Sequence, residues 1–428
     1  MSFTKVAIYT LGCKVNQYES DSMSDELKKA GYEIVSFNEA ADVYIINTCS
    51  VTNMAERKSR QIIHRARKIN GQACIIAAGC YVQAAKEELE KDLAVDLIIG
   101  NNRKKDIVRI IREYEEAHKV SDVFIDINDT NEYESMTLIK PSEHTRAYVK
   151  IQDGCNNFCT YCIIPYTRGR IRSRRADEVI GEIEGLASQG VKEVVLTGIN
   201  LSSYEDGDKK LTDILLMVSE IEGIERIRMG SLEPRIITED FLNKISKVNK
   251  ICPHFHLSLQ SACDETLKRM NRRYTIEEYM SKCNMIRRYY DRPAITTDII
   301  VGFPGETDAE FEITKNNLEL LNLYEMHIVK YSKRNGTLAA SMQNQVSDRV
   351  KEERSNILLE MTAQHKHNYE EAFKGEKVSF LAEEYTCIDE ESDLYILKGH
   401  TERYILVEYE CTREYCESNV NKIVEVKY

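Results

Sequence analysis

The chain has 428 residues, a formal net charge of −12, 42% hydrophobic residues and 30% charged ones. That length exceeds what one hydrophobic core ordinarily organises, and the apolar share excludes a disordered or fibrous chain, so two or three domains are expected. The most apolar stretch, 73–82, falls far short of the ~20 residues of a membrane helix, and residues 1–10 alternate like a first strand, not a signal peptide. A soluble, cytoplasmic protein with no membrane partner is the expectation.

Residues 1–120 alternate short apolar runs with amphipathic ones. The segments 6–11, 43–47, 74–78 and 97–99 read as strands, and 22–30, 54–69, 84–91 and 104–118 as helices. Such alternation specifies a parallel α/β sheet. The polar, aperiodic run 126–144 reads as a linker. From Arg146 the pattern restarts, with strands at 147–151, 194–196, 226–229, 255–258, 297–301 and 327–329. Six strand–helix units over 143–370 fit an incomplete (β/α)6 barrel, ended by a charged helix near 351–373. The tail, 371–428, reads as short strands at 377–382, 394–398, 404–409 and 422–426, and so as a small β-barrel. The fold class is α/β with a small all-β carboxyl-terminal unit.

The 13 cysteines are odd in number and scattered without a secretory signal, which favours metal or redox roles over disulfides. The strand at 147–151 runs into Asp153-Gly154-Cys155-Asn156-Asn157-Phe158-Cys159-Thr160-Tyr161-Cys162. Thiols at i, i+4 and i+7 on a loop after a barrel strand can converge on one inorganic centre. Structural zinc takes four protein ligands; no fourth cysteine follows, and His144, ahead of the strand, is poorly placed. A cubane iron–sulfur cluster on Cys155, Cys159 and Cys162 leaves one iron open. Reductive cleavage of S-adenosylmethionine needs that open iron, because the cofactor's amino and carboxylate groups chelate it while an electron enters the sulfonium. A three-cysteine zinc site is the competing reading.

The loops at the next strand ends offer groups for such a cofactor. Thr197-Gly198-Ile199-Asn200 lets backbone approach an amino group. Ser231-Leu232-Glu233-Pro234 brings a hydroxyl and a carboxylate for ribose or ammonium, and Ser258-Leu259-Gln260-Ser261 an amide and two hydroxyls. Gly302-Phe303-Pro304-Gly305-Glu306-Thr307 is not a P-loop, because no Gly-Lys-Ser/Thr follows. The candidate cofactor contacts are Tyr161, Thr197, Gly198, Asn200, Ser231, Glu233 and Gln260. Each loop taken singly is also explained by turn chemistry.

Leu11-Gly12-Cys13-Lys14-Val15-Asn16, Ile46-Asn47-Thr48-Cys49 and Ala78-Gly79-Cys80 each set a cysteine at a strand end just before a helix. In a parallel sheet those ends share one edge, where Cys13, Cys49 and Cys80 can meet. A single cysteine there is by default a small buried hydrophobe; three in matching positions favour a second three-thiolate cluster. Cys74, Cys252, Cys263, Cys283, Cys387, Cys411 and Cys416 read as structural. Two acid-free basic runs, 57–68 and 168–175, stand out in an acidic chain and point to a polyanionic substrate.

Together these residues resemble the methylthiotransferases, a radical S-adenosylmethionine family, over nearly the whole chain. Gly154-Cys155-Asn156-Asn157-Phe158-Cys159-Thr160-Tyr161-Cys162-Ile163-Ile164-Pro165 is similar to the family's radical motif. Leu11-Gly12-Cys13-Lys14-Val15-Asn16-Gln17-Tyr18-Glu19 is similar to the branch acting on N6-threonylcarbamoyladenosine at position 37 of tRNA. The resemblance implies two 4Fe–4S clusters. An amino-terminal domain, 1–120, holds the auxiliary one on Cys13, Cys49 and Cys80, and a radical barrel, 143–370, the other on Cys155, Cys159 and Cys162. A β-barrel called TRAM, which grips RNA, covers 371–428.

The implied reaction is methylthiolation of adenine carbon 2 in the tRNA anticodon stem-loop. One S-adenosylmethionine gives the methyl group to cluster-attached sulfur and a second gives the 5′-deoxyadenosyl radical. A reductant such as flavodoxin or ferredoxin supplies the electron, no side chain acts as general acid or base, and DNA is not bound. Two features depart from the family. Ala262-Cys263 stand where Gly-Ser is usual, and the tail from Glu370 carries 15 acidic and 7 basic residues. Phosphate grip is therefore expected from the two basic runs. The alternatives are the same chemistry on isopentenyladenosine tRNA or a ribosomal-protein aspartate, and a radical enzyme without sulfur insertion.

Overall fold

The computed structural model describes residues 3–121, 123–139 and 145–428. His144 and the end of the expected linker, 140–144, lie outside the described residues, as do residues 1–2 of the expected first strand. In the first sheet β1 (Lys5–Thr10), β2 (Glu33–Val35), β3 (Val43–Thr48), β4 (Cys74–Gly79) and β5 (Leu97–Ile99) pair in parallel in the order β2-β1-β3-β4-β5. Strands β3 and β4 are buried throughout, and strand alternation sorts their residues between two cores. Val43, Ile45 and Ile76 pack with α1 (Lys14–Lys29), whereas Tyr44, Ile46 and Ile75 pack with α2 (Asn53–Ile69) on the other face. Thr52 caps α2 by accepting the Ala55 amide at 3.1 Å.

Helix α1 begins at Lys14, not within the expected 22–30, because its first turns bury polar side chains. Asn16, Glu19, Ser20 and Asp21 are all buried, so the apolar stripe that marks a helix start is missing. The expected helix 84–91 is two short ones, α3 (Cys80–Ala84) and α4 (Lys86–Leu89).

The second sheet runs in chain order: β6 (Arg146–Lys150), β7 (Glu193–Thr197), β8 (Arg226–Met229), β9 (His254–His256), β10 (Ala294–Val301) and β11 (Glu325–Lys330). All neighbours are parallel, and β8 meets β9 through the bridges Ile227–Ile251 and Leu232–Leu257. Six parallel strands with outer helices make an incomplete barrel. Tyr18, Met23 and Leu27 of α1 share one continuous core with Val149 of β6 and Ile183 of the helix Ala176–Ser188, fixing the first sheet against the barrel.

The last four strands, β12 (Lys377–Asp389), β13 (Leu394–Thr401), β14 (Leu406–Cys411) and β15 (Ile423–Lys427), form an antiparallel sheet in the order β14-β13-β12-β15. Register shifts in β12 between Ala382 and Glu384 and between Cys387 and Asp389 help curl it into a half-barrel around Phe380, Leu397 and Val407. This unit docks on the amino-terminal ends of the barrel strands. Arg226 donates to the Ser379 and His400 carbonyls at 2.9 and 3.0 Å, Arg228 to the Glu402 carbonyl at 2.9 Å, and Arg146 pairs with Glu383. The Tyr404 ring lies 5.2 Å from the Arg146 guanidinium and 5.0 Å from that of Arg228, and stacks on His254 at 5.4 Å. The acidic tail, from which little phosphate grip was expected, is thus a cap docked on the base of the barrel.

Candidate cluster sites

At the carboxyl-terminal edge of the first sheet, Thr10 pairs with Asn47 and Thr48 with Gly79. That register sets Cys49 and Cys80, each one residue further on, side by side, with Cys13 on the loop leaving β1. Two glycines in the left-handed region make the approach possible. A Cβ on Gly12 would stand 2.8 Å from the Cys49 Sγ, and one on Gly79 2.6 Å from the Thr48 carbonyl oxygen. Burial, with the neighbouring Cys80 and Cys13, pushes the Cys49 thiol up to about 12. Three thiols so crowded lose protons together only around a positive centre, which is the environment of a thiolate-bound metal.

A buried ion network ties this edge to the barrel. Glu19 of α1 pairs with Arg168 at 2.8 Å, with Lys150 at 2.7 Å and with Lys104; Asp153 pairs with Lys150 at 2.6 Å and Arg168 at 3.2 Å. Asn16 bonds Arg168 at 2.6 Å, and its amide donates to the Leu11 and Thr48 carbonyls at 2.7 and 3.0 Å. Asn101 donates to the Thr167 carbonyl at 2.6 Å, with its amide nitrogen 3.7 Å from the Cys80 Sγ. With Arg172 at 3.9 Å from Asp153, four cations face two carboxylates here. The surplus suits a neighbouring anionic thiolate centre, and Cys80 is among the groups that hold Arg168 charged against its burial.

At the barrel mouth Gly154, at φ +72°, passes so close to the Arg170 carbonyl that any Cβ would overlap it. The Cys155 amide donates to the Gly169 carbonyl and the Cys162 amide to that of Cys159, each at 3.0 Å, which curls the loop so that its thiols face one another. Burial pushes Cys162 up to about 12 and raises Cys155, and Cys159 adds to both. Arg272 donates to the Cys159 Sγ at 3.2 Å and pairs with Glu233 at 3.0 Å.

A cavity of about 290 Å³ opens beside this loop, lined by Asn157, Asn200, Ser202, Glu233, Arg272 and Tyr274 among others. Its donor set suits an amino-acid-bearing nucleoside. The buried Asn200 Oδ1 accepts no hydrogen bond while its amide nitrogen lies 4.0 Å from the Cys155 Sγ, so an acceptor waits beside the thiols. Glu233 is held by Arg272 and, at 3.2 Å, by Asn157.

Of the expected cofactor contacts, Asn200 and Glu233 line this cavity. Thr197 is buried at the end of β7, Gly198 packs against Gln152, and Ser231 is exposed. Gln260 takes φ +72° and bridges Asp298 and Ile300 through its backbone, and the Tyr161 ring packs edge-on to Phe303 at 6.5 Å. Arg272 and Asn157 were not singled out by the sequence; the signal available for Arg272 was its place in a basic stretch after the fourth strand. Ala262 and Cys263 are packed in the core.

The second basic run corrects the expectation of a phosphate-binding face. Arg168, Arg172 and Arg174 are buried in internal pairs, because alternate residues of the run point into the junction of sheet and barrel. On α2, by contrast, Arg57, Lys58, Arg65 and Lys68 are exposed. No helix among the described residues is long and apolar enough to cross a membrane.

Residues 149–318 match the model of the Radical SAM superfamily, and residues 5–100 that of Uncharacterized protein family UPF0004. The chain is 39% identical over 426 residues to the threonylcarbamoyladenosine tRNA methylthiotransferase MtaB of Bacillus subtilis, covering 99% of this chain and 93% of the relative. It is 40% identical to the tRNA-2-methylthio-N(6)-dimethylallyladenosine synthase of Thermodesulfovibrio yellowstonii, over 83% of this chain and 82% of that one. Among solved structures, the radical S-adenosylmethionine methyltransferase TsrM from Kitasatospora setae aligns with a TM-score of 0.59 at 13% identity, covering 79% of this chain and 74% of TsrM, a likeness of fold.

Proposed function

The chain belongs to the radical S-adenosylmethionine methylthiotransferases, and from that premise we infer that it methylthiolates carbon 2 of N6-threonylcarbamoyladenosine at position 37 of tRNA. The observation that carries the reading is the pair of three-cysteine sets. Each stands at the carboxyl-terminal edge of its own parallel sheet, and one buried ion network joins the two. A radical enzyme without sulfur insertion would use the second set for electron transfer alone, and would release 5′-deoxyadenosine without a methylthio product. The choice of threonylcarbamoyladenosine rests on the relatives of that name, which span nearly the whole chain.

On this reading Cys155, Cys159 and Cys162 hold one 4Fe–4S cluster and Cys13, Cys49 and Cys80 the other. When bound, the clusters and S-adenosylmethionine supply a 5′-deoxyadenosyl radical and a methylated sulfur. The adenine carbon is neither acidic nor electrophilic enough for acid–base chemistry, so the protein's own task is to bind and position. Asn200 and Glu233 offer acceptors to the cofactor's ammonium and hydroxyl groups, and Arg272 holds Glu233 in place while placing a cation against Cys159. The buried network keeps both cysteine edges in register.

The natural units are 1–120, 143–370 and 371–428. The chain works in the cytoplasm, where its tRNA is, with a one-electron donor such as flavodoxin or ferredoxin. The test is nucleoside mass spectrometry of tRNA from a host lacking the modification, with and without this chain. Appearance of 2-methylthio-N6-threonylcarbamoyladenosine is expected. The methylthio form of isopentenyladenosine in its place would move the chain to the other tRNA branch.

A further inference from the structure

Inside the barrel, toward the amino-terminal ends of its strands, lies a set of side chains that cluster chemistry leaves unused. Val149, Ile227, Phe255, Ile299 and Met326 belong to the outer core. The alternating residues Tyr148, Arg228, His254, His256, Asp298 and His327 therefore face the interior. Tyr404 of the half-barrel closes the floor of this space by stacking on His254. The remaining wall comes from the first sheet. Lys14, next in sequence to Cys13, brings its ammonium 5.9 Å from the centre of the Tyr148 ring. Burial, and then the charges of Arg228, His256, Lys14 and His327, disfavour a charge on His254.

The acids around this space already have partners. Glu193 pairs with Arg228 at 2.7 Å and Arg146 at 3.5 Å, and Asp298 with His256 at 3.3 Å. Among the described residues no carboxylate lies within ion-pair distance of the Lys14 ammonium, which keeps solvent-reachable surface although protein surrounds it. An exposed cation beside an aromatic ring, with no ion-pair partner, can take an anion. The substrate inferred above carries one where it is needed. The threonylcarbamoyl group hangs from N6 on the Watson–Crick edge that ends at carbon 2, and it terminates in a carboxylate.

We propose that Lys14 is the specificity residue of this enzyme, its ammonium pairing with the threonyl carboxylate beside the Tyr148 ring. This rests on the function inferred above. It also links choice of substrate to sulfur delivery, since the anchoring cation and the cluster ligand Cys13 are consecutive residues. A backbone phosphate is the other anion that Lys14 could meet, and the test separates the two.

Three anticodon stem-loops are compared by fluorescence anisotropy on the anaerobic holoenzyme without reductant, so that no turnover intervenes. One carries N6-threonylcarbamoyladenosine, one its carboxamide, which lacks the charge, and one plain adenosine. The wild-type protein should bind the carboxylate loop roughly tenfold or more tightly than the carboxamide, the worth of a hydrogen bond to a charged group. Lys14→Met, checked for unchanged iron content, should erase that ratio, and Lys14→Arg should keep most of it. The proposal is overturned if the wild type shows no preference or if Lys14→Met retains it. Equal weakening of all three loops by Lys14→Met, with the ratio intact, would assign the residue to phosphate and overturn it too. Failure of the wild type to methylthiolate the carboxylate loop when reductant is added would instead sink the functional reading itself.

Discussion

A guanidinium 3.2 Å from Cys159, one of the three thiols proposed to hold the barrel cluster, would act on that cluster's charge. Reduction adds an electron, so a nearby buried cation stabilises the reduced form and raises the potential. Arg272 is 5% exposed at its side chain and is locked by Glu233 and, at 3.1 Å, by the Ser258 carbonyl, so it cannot swing away. Arg272→Met should lower the potential of the barrel cluster by on the order of 60 mV, the one-electron equivalent of about 1.4 kcal/mol. A redox titration followed by electron paramagnetic resonance reads this directly. An unchanged potential would leave Arg272 only as the support of Glu233. At this scale the sequence was legible where chemistry is local. Cys155, Cys159 and Cys162 announce themselves by spacing, and no partner elsewhere is needed to recognise them. Arg168 was misread because the group that buries it, Glu19, is 149 positions away. No window along the chain contains that pair.

Among the elements, the half-barrel is docked on the barrel, and of the two basic runs expected to meet phosphate the one on α2 keeps its cations at the surface. His400 lies at the docking face of the half-barrel, its ring 4.4 Å from that of Tyr404 and 2.8 Å from Glu383, with its Nδ1 3.5 Å from the Arg146 guanidinium of the barrel. Burial, then the charges of Arg146 and Arg228, push the His400 imidazole down to about 4 from its ordinary 6.5. Between those values the unfolded chain binds more protons than the folded one, so stability rises with pH across that window. The contribution is therefore complete above pH 6.5 and is lost as the pH falls toward 4. It amounts to about 3 kcal/mol for a shift of this size, at 1.36 kcal/mol per unit. His400→Asn carries no such proton. The wild-type melting temperature should fall more steeply than the variant's between pH 6.5 and 4.5, and parallel curves would remove His400 from the docking account.

The exposed cations of α2 are where the proposed phosphate grip on tRNA would lie. The helix starts just after Cys49, so its face leads outward from the auxiliary edge. Arg57→Ala with Lys58→Ala should weaken binding of modified and unmodified tRNA alike and lower the slope of log affinity against log salt by about 1.5–2, one counterion-releasing contact apiece. A slope that stays put would mean the phosphate path runs elsewhere. The basic run on α2 was legible, whereas the burial of Arg168, Arg172 and Arg174 was not, since an exposed arginine and a buried one look the same in a charge count.

For the whole molecule, the central fact is that two cysteine edges belonging to different sheets are held in one frame. The continuous core through Tyr18, Met23 and Val149 resists separation of the sheets, and the Glu19–Arg168–Asp153 network resists sliding. The architecture itself was legible, because parallel sheets advertise themselves by alternation and glycines mark their closest approaches. The frame was not, because it is made of long-range contacts between a polar helix face and a loop.

Such a frame predicts that the two sites fail separately in chemistry while remaining joined in structure. Cys13→Ala removes one thiolate from the first edge and touches nothing at the barrel mouth. Protein purified without oxygen should drop from about eight irons per chain to about four, at four irons per cluster. The variant should still release 5′-deoxyadenosine in the presence of reductant, because Cys155, Cys159, Cys162 and the cavity beside them are intact. It should form no methylthio product, because the sulfur-bearing site is gone. Retained methylthiolation would show that sulfur reaches the adenine without the first edge. Loss of 5′-deoxyadenosine together with product, at about four irons, would show that the frame couples the sites in chemistry as well, with the ion network as the first place to look for the link.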